Sequence, residues 1–524
     1  MSIPPPPGAA TILAALIVLA ACAIGAAYLL RHTRQDWPVI GALATLCFGF
    51  ALAYDSFLPD DSYITYRYAH NLLQGQGLVF NPGEYVLSTT TPLYTLLLAV
   101  TGLGWPDLPT TSHILSLPAL FAGALVLYLL CARHGKAVVG LLLGALYIVN
   151  PLTAAVYSSE SILHVALIFG ALYAYDQDRL EWAAALCALA VLNRGDGALI
   201  AIALGLHWLL TGRWRGSWRP ALRALAIYAA VSLPWYGFSW LYYGSLAPAT
   251  LGAKIAQSAL PGTVVFGPGL GARWMGYARQ SLGYWLLPPL ALLGFLLAFP
   301  RSGDRWAAPT LLWAGLYLGG YTVLAVPDYQ NYYTPLAPVL LLLALLGAHW
   351  LGVALAARLT PGARPSAAAA LPAARLAAIT VLACGTAIGL AFGITGAALY
   401  PRLPQARAVL YQQIGDWLRL NTPPRASVGL LEVGTMSYYA ERRVIDFYGL
   451  IQPDVADHLS RRETAWPPQH YQPDYIVIHT DWVLPFWQLG DPQFDTWFQT
   501  HYRRVRDFQY DRCDCSPMSL YARR

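Results

Sequence analysis

Long apolar runs separated by short polar breaks recur along most of the chain, and they decide the fold class before any motif does. They fall at roughly 9–30, 38–54, 110–130, 137–150, 161–175, 182–192, 197–211, 223–240, 283–299, 308–325, 335–356 and 374–397. A soluble core has no use for so many. A bilayer does, because a crossing helix needs about 20 apolar residues and satisfies its own backbone. Several runs are shorter than that, so their ends must include flanking polar residues. Composition agrees: 57% of the 524 residues are hydrophobic and 11% are charged, less than half the charge of ordinary soluble domains. The expectation is an α-helical polytopic membrane protein with about 12 transmembrane helices. No apolar stretch followed by a small-residue cleavage site stands out, so no removed signal peptide is expected.

Lys and Arg in the short loops set the orientation. One set of loops holds Arg31, Arg34, Arg133, Lys136, Arg179, Arg213, Arg215, Arg219, Arg223, Arg301, Arg305, Arg358, Arg364 and Arg375, which is 14 residues. The opposite side holds five: Arg67, Arg194, Lys254, Arg273 and Arg279. The first set is read as cytoplasmic. Loops at about 55–109 and 241–282, the Asn193–Gly197 turn and everything after Tyr400 then face outward. The basic loop at 31–34 favours an outer N-terminus.

Beyond Tyr400 the chain changes character, with 14 basic and 14 acidic residues. ARAVLYQQIGDWLRLNTP has helical periodicity, and ASVGLLEVG and PDYIVIHT read as short buried strands. Residues 1–399 are therefore expected to form a transmembrane domain and 400–524 a small extracytoplasmic α/β domain. The seven cysteines give no disulfide framework; Cys513 and Cys515 are too close for an unstrained mutual bridge and make only half a metal site.

The first outer loop reads FLPDDSYITYRYAHNLLQGQGLVFNPG. Ser62 to Leu73 suits a helix, and Asp60 or Asp61 stands where its N-cap belongs. Capping explains one acid but not two, nor the aromatic and basic residues Tyr63 and Arg67 beside them. A carboxylate at a helix start, ionised and near an aromatic cleft, suits general-base work. STTTPLYTLLLAVTG resumes a short helix, so the loop is expected to carry two helices lying along the membrane. His164 and His207 lie in or near apolar runs without a partner at metal-ligand spacing.

LPDDSYITYRYAHNLLQGQGLVFNPGE followed by TTTPLYTLLLAV resembles the first outer loop of integral-membrane glycosyltransferases of the GT-C fold. It looks most like bacterial members near the arabinofuranosyltransferases and the protein-mannosyltransferase-like group. Leu192–Gly197, with Gly195 in place of a proline, is similar to a recurring turn of that fold; YYGSLAPATLGAK, with Ala249 for an asparagine, resembles the opening of its second large loop. Ser159–Glu160 stands at a third such step, and EVGTMSYYAERRVIDFYGLIQPD looks like a signature of related C-terminal domains. The resemblance implies a polyprenyl-phosphate sugar donor and an extracytoplasmic glycan, lipid or protein acceptor. It also implies a multi-pass place in the bacterial cytoplasmic membrane. It implies Asp60 as base, and Asp61 as support for the acceptor or, in some members, for a divalent cation. No other cofactor is implied.

Chemistry outside the cytoplasm narrows the remaining roles. A lipid-linked donor has an anionic phosphate, which needs fixed positive charge where little is available. Lys254 and Arg194 are the candidates, with Arg67 a third, while Asp196 is the natural ion-pair partner of Arg194. Glu160 is read as a ligand for sugar hydroxyls or a helix cap, and Tyr243 belongs to the second-loop pattern. A phosphate leaving group needs no acid, so one base suffices and single displacement with inversion is expected. A transporter or flippase is the alternative; it predicts paired repeats with broken helices at the midplane, which the sequence does not display. The basic loops are topology signals, and no nucleic-acid module is visible.

Overall fold

The computed structural model describes residues 37–54, 59–298, 306–359, 367–399, 403–479, 481–510 and 516–524. The apolar run at 9–30, the basic pair Arg31 and Arg34, and Cys513 and Cys515 lie outside them. The other eleven apolar runs are all helical, from Trp37–Ala53 to Ala367–Leu399. Five helices are long and apolar enough to cross a membrane: Leu108–Arg133, Ala137–Ala155, Arg219–Tyr243, Gln330–Leu359 and Pro372–Ala398. Others are shorter: Glu160–Asp176 has 17 residues, Leu180–Asn193 has 14 and Ala198–Leu210 has 13. At about 1.5 Å per residue these reach roughly 20–25 Å, less than a full hydrocarbon core of about 30 Å. Eleven of the 12 expected runs thus appear as helices among the described residues, but not all have full spanning length.

Small residues let these helices approach. Leu287–Ala298 crosses Ala337–Leu359 with Gly294 against Leu343 O and Gly347 against Leu290 O; a Cβ on either would stand 1.9 or 2.0 Å from those oxygens. Without a hydrophobic drive between helices in lipid, such close packing is the main cohesive contact.

Both outer loops are built. The first carries helices Ser62–Leu73 and Pro92–Gly102, joined by a turn in which Gly75, Gly77 and Gly83 have φ of +71°, +92° and +84°. The second carries Ala249–Ser258 and Phe266–Gln280.

After the helix Leu403–Asn421 comes a five-stranded sheet in the order β2-β1-β3-β5-β4, with β1 Ser427–Leu430, β2 Arg443–Asp446, β3 Tyr475–His479, β4 Tyr502–Phe508 and β5 Met518–Arg523. The first three strands are parallel, and β5 pairs antiparallel with β3 and β4. Strand alternation splits the apolar side chains between two cores. Val428, Leu430, Val444 and Val477 face Leu410, Ile414 and Leu418, together with Tyr68, Leu78 and Phe80 of the first outer loop. Ile445, Ile476 and Ile478 face Trp487, Phe494 and Phe498. One face of the sheet module is therefore completed by the loop that carries the acid pair.

Polar contacts fix that docking. Asn81 mimics a strand at the β2 edge: its Nδ2 donates to Val444 O (2.8 Å) and its Oδ1 accepts from Val444 N (3.0 Å). Arg67 is buried and donates to Phe80 O, Ser437 O, Arg442 O and Asn81 Oδ1. Buried charge needs such full satisfaction.

Candidate active site

The Ser62–Leu73 helix begins at Asp61, but neither carboxylate of the pair caps it. Asp60 turns instead toward the sheet module. Its Oδ1 accepts from the backbone N–H of Thr435 at 2.8 Å. Gly434 comes so close that a Cβ there would lie 2.1 Å from Asp60 O and 2.5 Å from its Oδ2. Asp60 is half-buried, whereas Asp61 is exposed. Burial pushes the Asp60 carboxyl up to about 6; the Thr435 hydrogen bonds oppose the rise, and Asp61 and Glu432 add to it. Such a carboxyl is mostly ionised near neutrality yet a better proton acceptor than an ordinary aspartate.

The charge of Asp61 acts on Lys254 of the second large loop. Burial works against the Lys254 ammonium, but Tyr332, Asp61 and Tyr329 more than offset it and hold it above the ordinary lysine range. Its Nζ donates to Tyr332 Oη at 2.7 Å and lies 4.7 Å and 5.0 Å from the Tyr329 and Tyr332 ring centres. Among the described residues Lys254 makes no ion pair with a carboxylate, so its charge is balanced only by ring faces and the more distant Asp61.

Arg194 differs. It pairs with Asp196 (Nη2 to Oδ2 2.9 Å) and reaches Glu160 (3.5 Å) and Ser161 Oγ (3.2 Å). Asp196 also accepts from Tyr321 (2.6 Å) and Tyr317 (3.2 Å), and His164 Nε2 stands 3.1 Å away. The helix-end pairing foreseen as one reading of Arg194 is thus present, inside a larger buried network. That network joins Lys254 through Tyr332, whose ring lies 5.7 Å from the Arg194 guanidinium. His164 belongs to it, while His207 bonds Tyr175 elsewhere.

The expected residues therefore divide. Lys254, Arg194, Asp196 and Glu160 are linked through Tyr332, and Asp61, next to Asp60, acts on Lys254 through space. Arg67 is consumed by the loop-to-sheet docking, contrary to its expectation as a third phosphate partner. Tyr63 is buried against Tyr66, Tyr438 and Tyr439. Tyr243 donates to Leu78 O and packs on Tyr242. These last three brace the site from behind.

Sequence reasoning missed Tyr329 and Tyr332, although the cluster DYQNYY was a visible signal, and it missed Tyr317 and Tyr321; the Glu432–Thr435 segment opens the C-terminal signature stretch, but its place beside Asp60 was not foreseen. Among the described residues no three His, Cys, Asp or Glu side chains gather as a metal cage.

Comparison with known proteins agrees with this architecture. A family model described as a domain of unknown function (DUF8728) matches residues 402–521. A Mycobacterium tuberculosis protein named terminal beta-(1->2)-arabinofuranosyltransferase is 31% identical over 308 residues, 52% of this chain and 46% of that protein. The chain thus matches about half the length of that curated relative. The crystal structure of ArnT from Cupriavidus metallidurans bound to undecaprenyl phosphate superposes with a TM-score of 0.56 at 13% identity, covering 93% of this chain and 98% of that one. The apo form gives 0.53 at 15% identity, covering 91% and 97%. The chain is a membrane protein with the GT-C fold, the architecture its first outer loop led us to expect.

Proposed function

We propose that the chain is a polyprenyl-phosphate-sugar-dependent glycosyltransferase acting at the outer face of a bacterial cytoplasmic membrane. It transfers a sugar, arabinofuranose or mannose, to a hydroxyl of an extracytoplasmic acceptor. The observation that carries this reading is the half-buried Asp60 carboxylate, held by the sheet module next to Asp61, whose charge acts on an ammonium, Lys254, that makes no ion pair with a carboxylate among the described residues. The names of the two similar proteins support it: one is an arabinofuranosyltransferase, and the other was crystallised with undecaprenyl phosphate. Residues 1–399 form the transferase part in this reading, and 400–524 the outer module that closes over its base.

In the reaction Asp60 takes the acceptor hydroxyl proton while that oxygen bonds the anomeric carbon from the face opposite the phosphate. The carbon–phosphate-oxygen bond breaks, and the lipid phosphate leaves as an anion. Lys254 stabilises that anion, which therefore needs no proton. Arg194, already matched by Asp196 and Glu160, holds the cleft's shape and donates more weakly. Asp61 orients Lys254 and the acceptor. The test is transfer from a radiolabelled polyprenyl-phosphate sugar by right-side-out vesicles containing the protein. Product formed only after the vesicles are opened would overturn the outward site, and no product in either case would overturn the activity.

Two expected results follow from the charges. Lys254→Gln raises the donor KM about 10–10²-fold, the worth of one charge-assisted contact at about 1.5–3 kcal/mol; Arg194→Gln raises it less. Equal donor saturation curves for wild type and Lys254→Gln would remove Lys254 from the phosphate site. Second, kcat/KM rises with pH and levels off above about 6, because the base works ionised and burial has moved Asp60 to that value. A profile flat from pH 5 to 8 would contradict a base with that carboxyl's environment.

A further inference from the structure

A groove of about 420 Å³ opens on the seam between the two parts of the molecule. One wall is the turn Pro261–Thr263 that ends the Ala249–Ser258 helix; the other is Tyr448, Trp482, Phe486 and Leu489 of the sheet module. Its walls are fixed to each other. Gln257 Nε2 donates to Tyr448 O at 3.0 Å, and Ala253 and Ala256 pack on Val455 and Leu459. Trp482, Leu489 and nearby Val264 are 38%, 55% and 49% exposed, an apolar surface that the fold alone does not require.

The groove leads to the base. The Trp482 ring stacks on His479, with centres 5.9 Å apart and planes at 24°. His479 Nε2 lies 3.5 Å from Glu432 Oε1, and two residues further on Gly434 and Thr435 grip Asp60. On the other wall, Leu260 is six residues beyond Lys254, roughly 9 Å at helical rise. The groove thus borders both the segment that grips Asp60 and the helix that carries Lys254.

We propose that this groove is the acceptor subsite, and that it takes a neutral saccharide chain with Trp482 as the platform for one ring. The proposal rests on the transferase reading above. Among the described residues no Asp, Glu, Lys or Arg lines the groove, which disfavours an anionic or cationic acceptor. Flat aromatic faces suit the C–H face of a sugar ring, and the Thr263 hydroxyl, the Tyr448 hydroxyl and the Trp482 indole N–H supply hydrogen-bonding groups for its rim. Such amphipathic surfaces, one side apolar and one wet, are where Trp and Tyr are most useful.

The test uses the full chain in nanodiscs and short neutral oligosaccharides derived from arabinan and mannan. Saturation-transfer NMR should show one of these series binding to wild type and equally to Asp60→Asn. Trp482→Ala should weaken that binding about tenfold, the worth of one aromatic contact, and Trp482→Phe should restore most of it. In the transfer assay Trp482→Ala should raise the acceptor KM and leave the donor KM and kcat in place. Transfer with an unchanged acceptor KM in Trp482→Ala would overturn the groove and leave the activity standing. Saccharide binding that depends on Trp482, in a chain that transfers no sugar, would do the reverse. Transfer to a lipid or peptide acceptor, with neither oligosaccharide series bound, would also overturn the groove.

Discussion

Asp60→Asn should cut turnover about 10²–10⁴-fold, the usual worth of a positioned general base, without loosening the fold. The side-chain amide keeps the size of the carboxylate, and its oxygen still accepts from Thr435 N–H, so the contact at 2.8 Å survives. It cannot take a proton from an acceptor. The helix beginning at Ser62 does not suffer, because neither acid caps it through its side chain. Stability should move the other way from activity. Burial raises the Asp60 pKa from 3.8 to about 6; a carboxyl raised on folding favours the folded state when protonated and opposes it when ionised. Its cost is absent below about pH 4 and complete above about pH 6. The Asn variant lacks that cost, so its melting temperature should equal or exceed that of wild type at pH 7 and fall into line with it in acid. Lipid donor binding should be unchanged, since Lys254 is intact. Near-native turnover in a well-folded variant would move the base to Asp61 or Glu432.

Much of this molecule is written locally. An apolar run of 20 residues is legible wherever it occurs, which is why eleven of the runs became helices close to their expected bounds. The two helices of the first outer loop and strands β1 and β3 were equally readable from periodicity, as was the helix before them. The acid pair stood out because two adjacent carboxylates at a bilayer surface are costly without a task. What sequence spacing cannot carry is the pairing of distant segments. Arg67 looked like a ligand because outward cations are scarce; two of its four acceptors, Ser437 O and Arg442 O, are more than 360 residues away. Lys254 and Arg194 looked alike as scarce outward cations, and only the fold separates them, by giving Arg194 two carboxylates and Lys254 two tyrosine rings. The β4–β5 hairpin was missed because β4, YRRVRDF, is an edge strand with charges on it. That pattern protects an edge from unwanted pairing and hides the strand from a hydropathy reading.

Gly434→Ala gives the sharpest test of whether the sheet module takes part in catalysis or merely sits on the membrane part. Gly434 has φ −80° and ψ −104°, outside the helical and extended basins, so alanine carries a backbone cost of its own there. The three nearest atoms all belong to Asp60: a Cβ would stand 2.1 Å from its carbonyl oxygen, 2.5 Å from Oδ2 and 2.6 Å from Cγ. None of these is the free end of a long side chain that can swing aside. Either the 59–61 turn shifts or the Glu432–Thr435 segment lifts, and both take Thr435 N–H away from the carboxylate. A displacement of about 1 Å at a reacting group costs on the order of 10²-fold in rate, so kcat should fall by about that factor while donor KM stays close to wild type. The pH profile should move as well, because losing the Thr435 hydrogen bond removes what holds the Asp60 pKa down. The limb near pH 6 should shift upward. Gly252→Ala is the matching control: it lies on the Lys254 helix, and a Cβ there meets nothing within 4 Å. Its activity should equal that of wild type. If Gly434→Ala matched it in kcat and in pH profile, the module's grip on Asp60 would have no part in the reaction, and the base would be positioned from the membrane side alone.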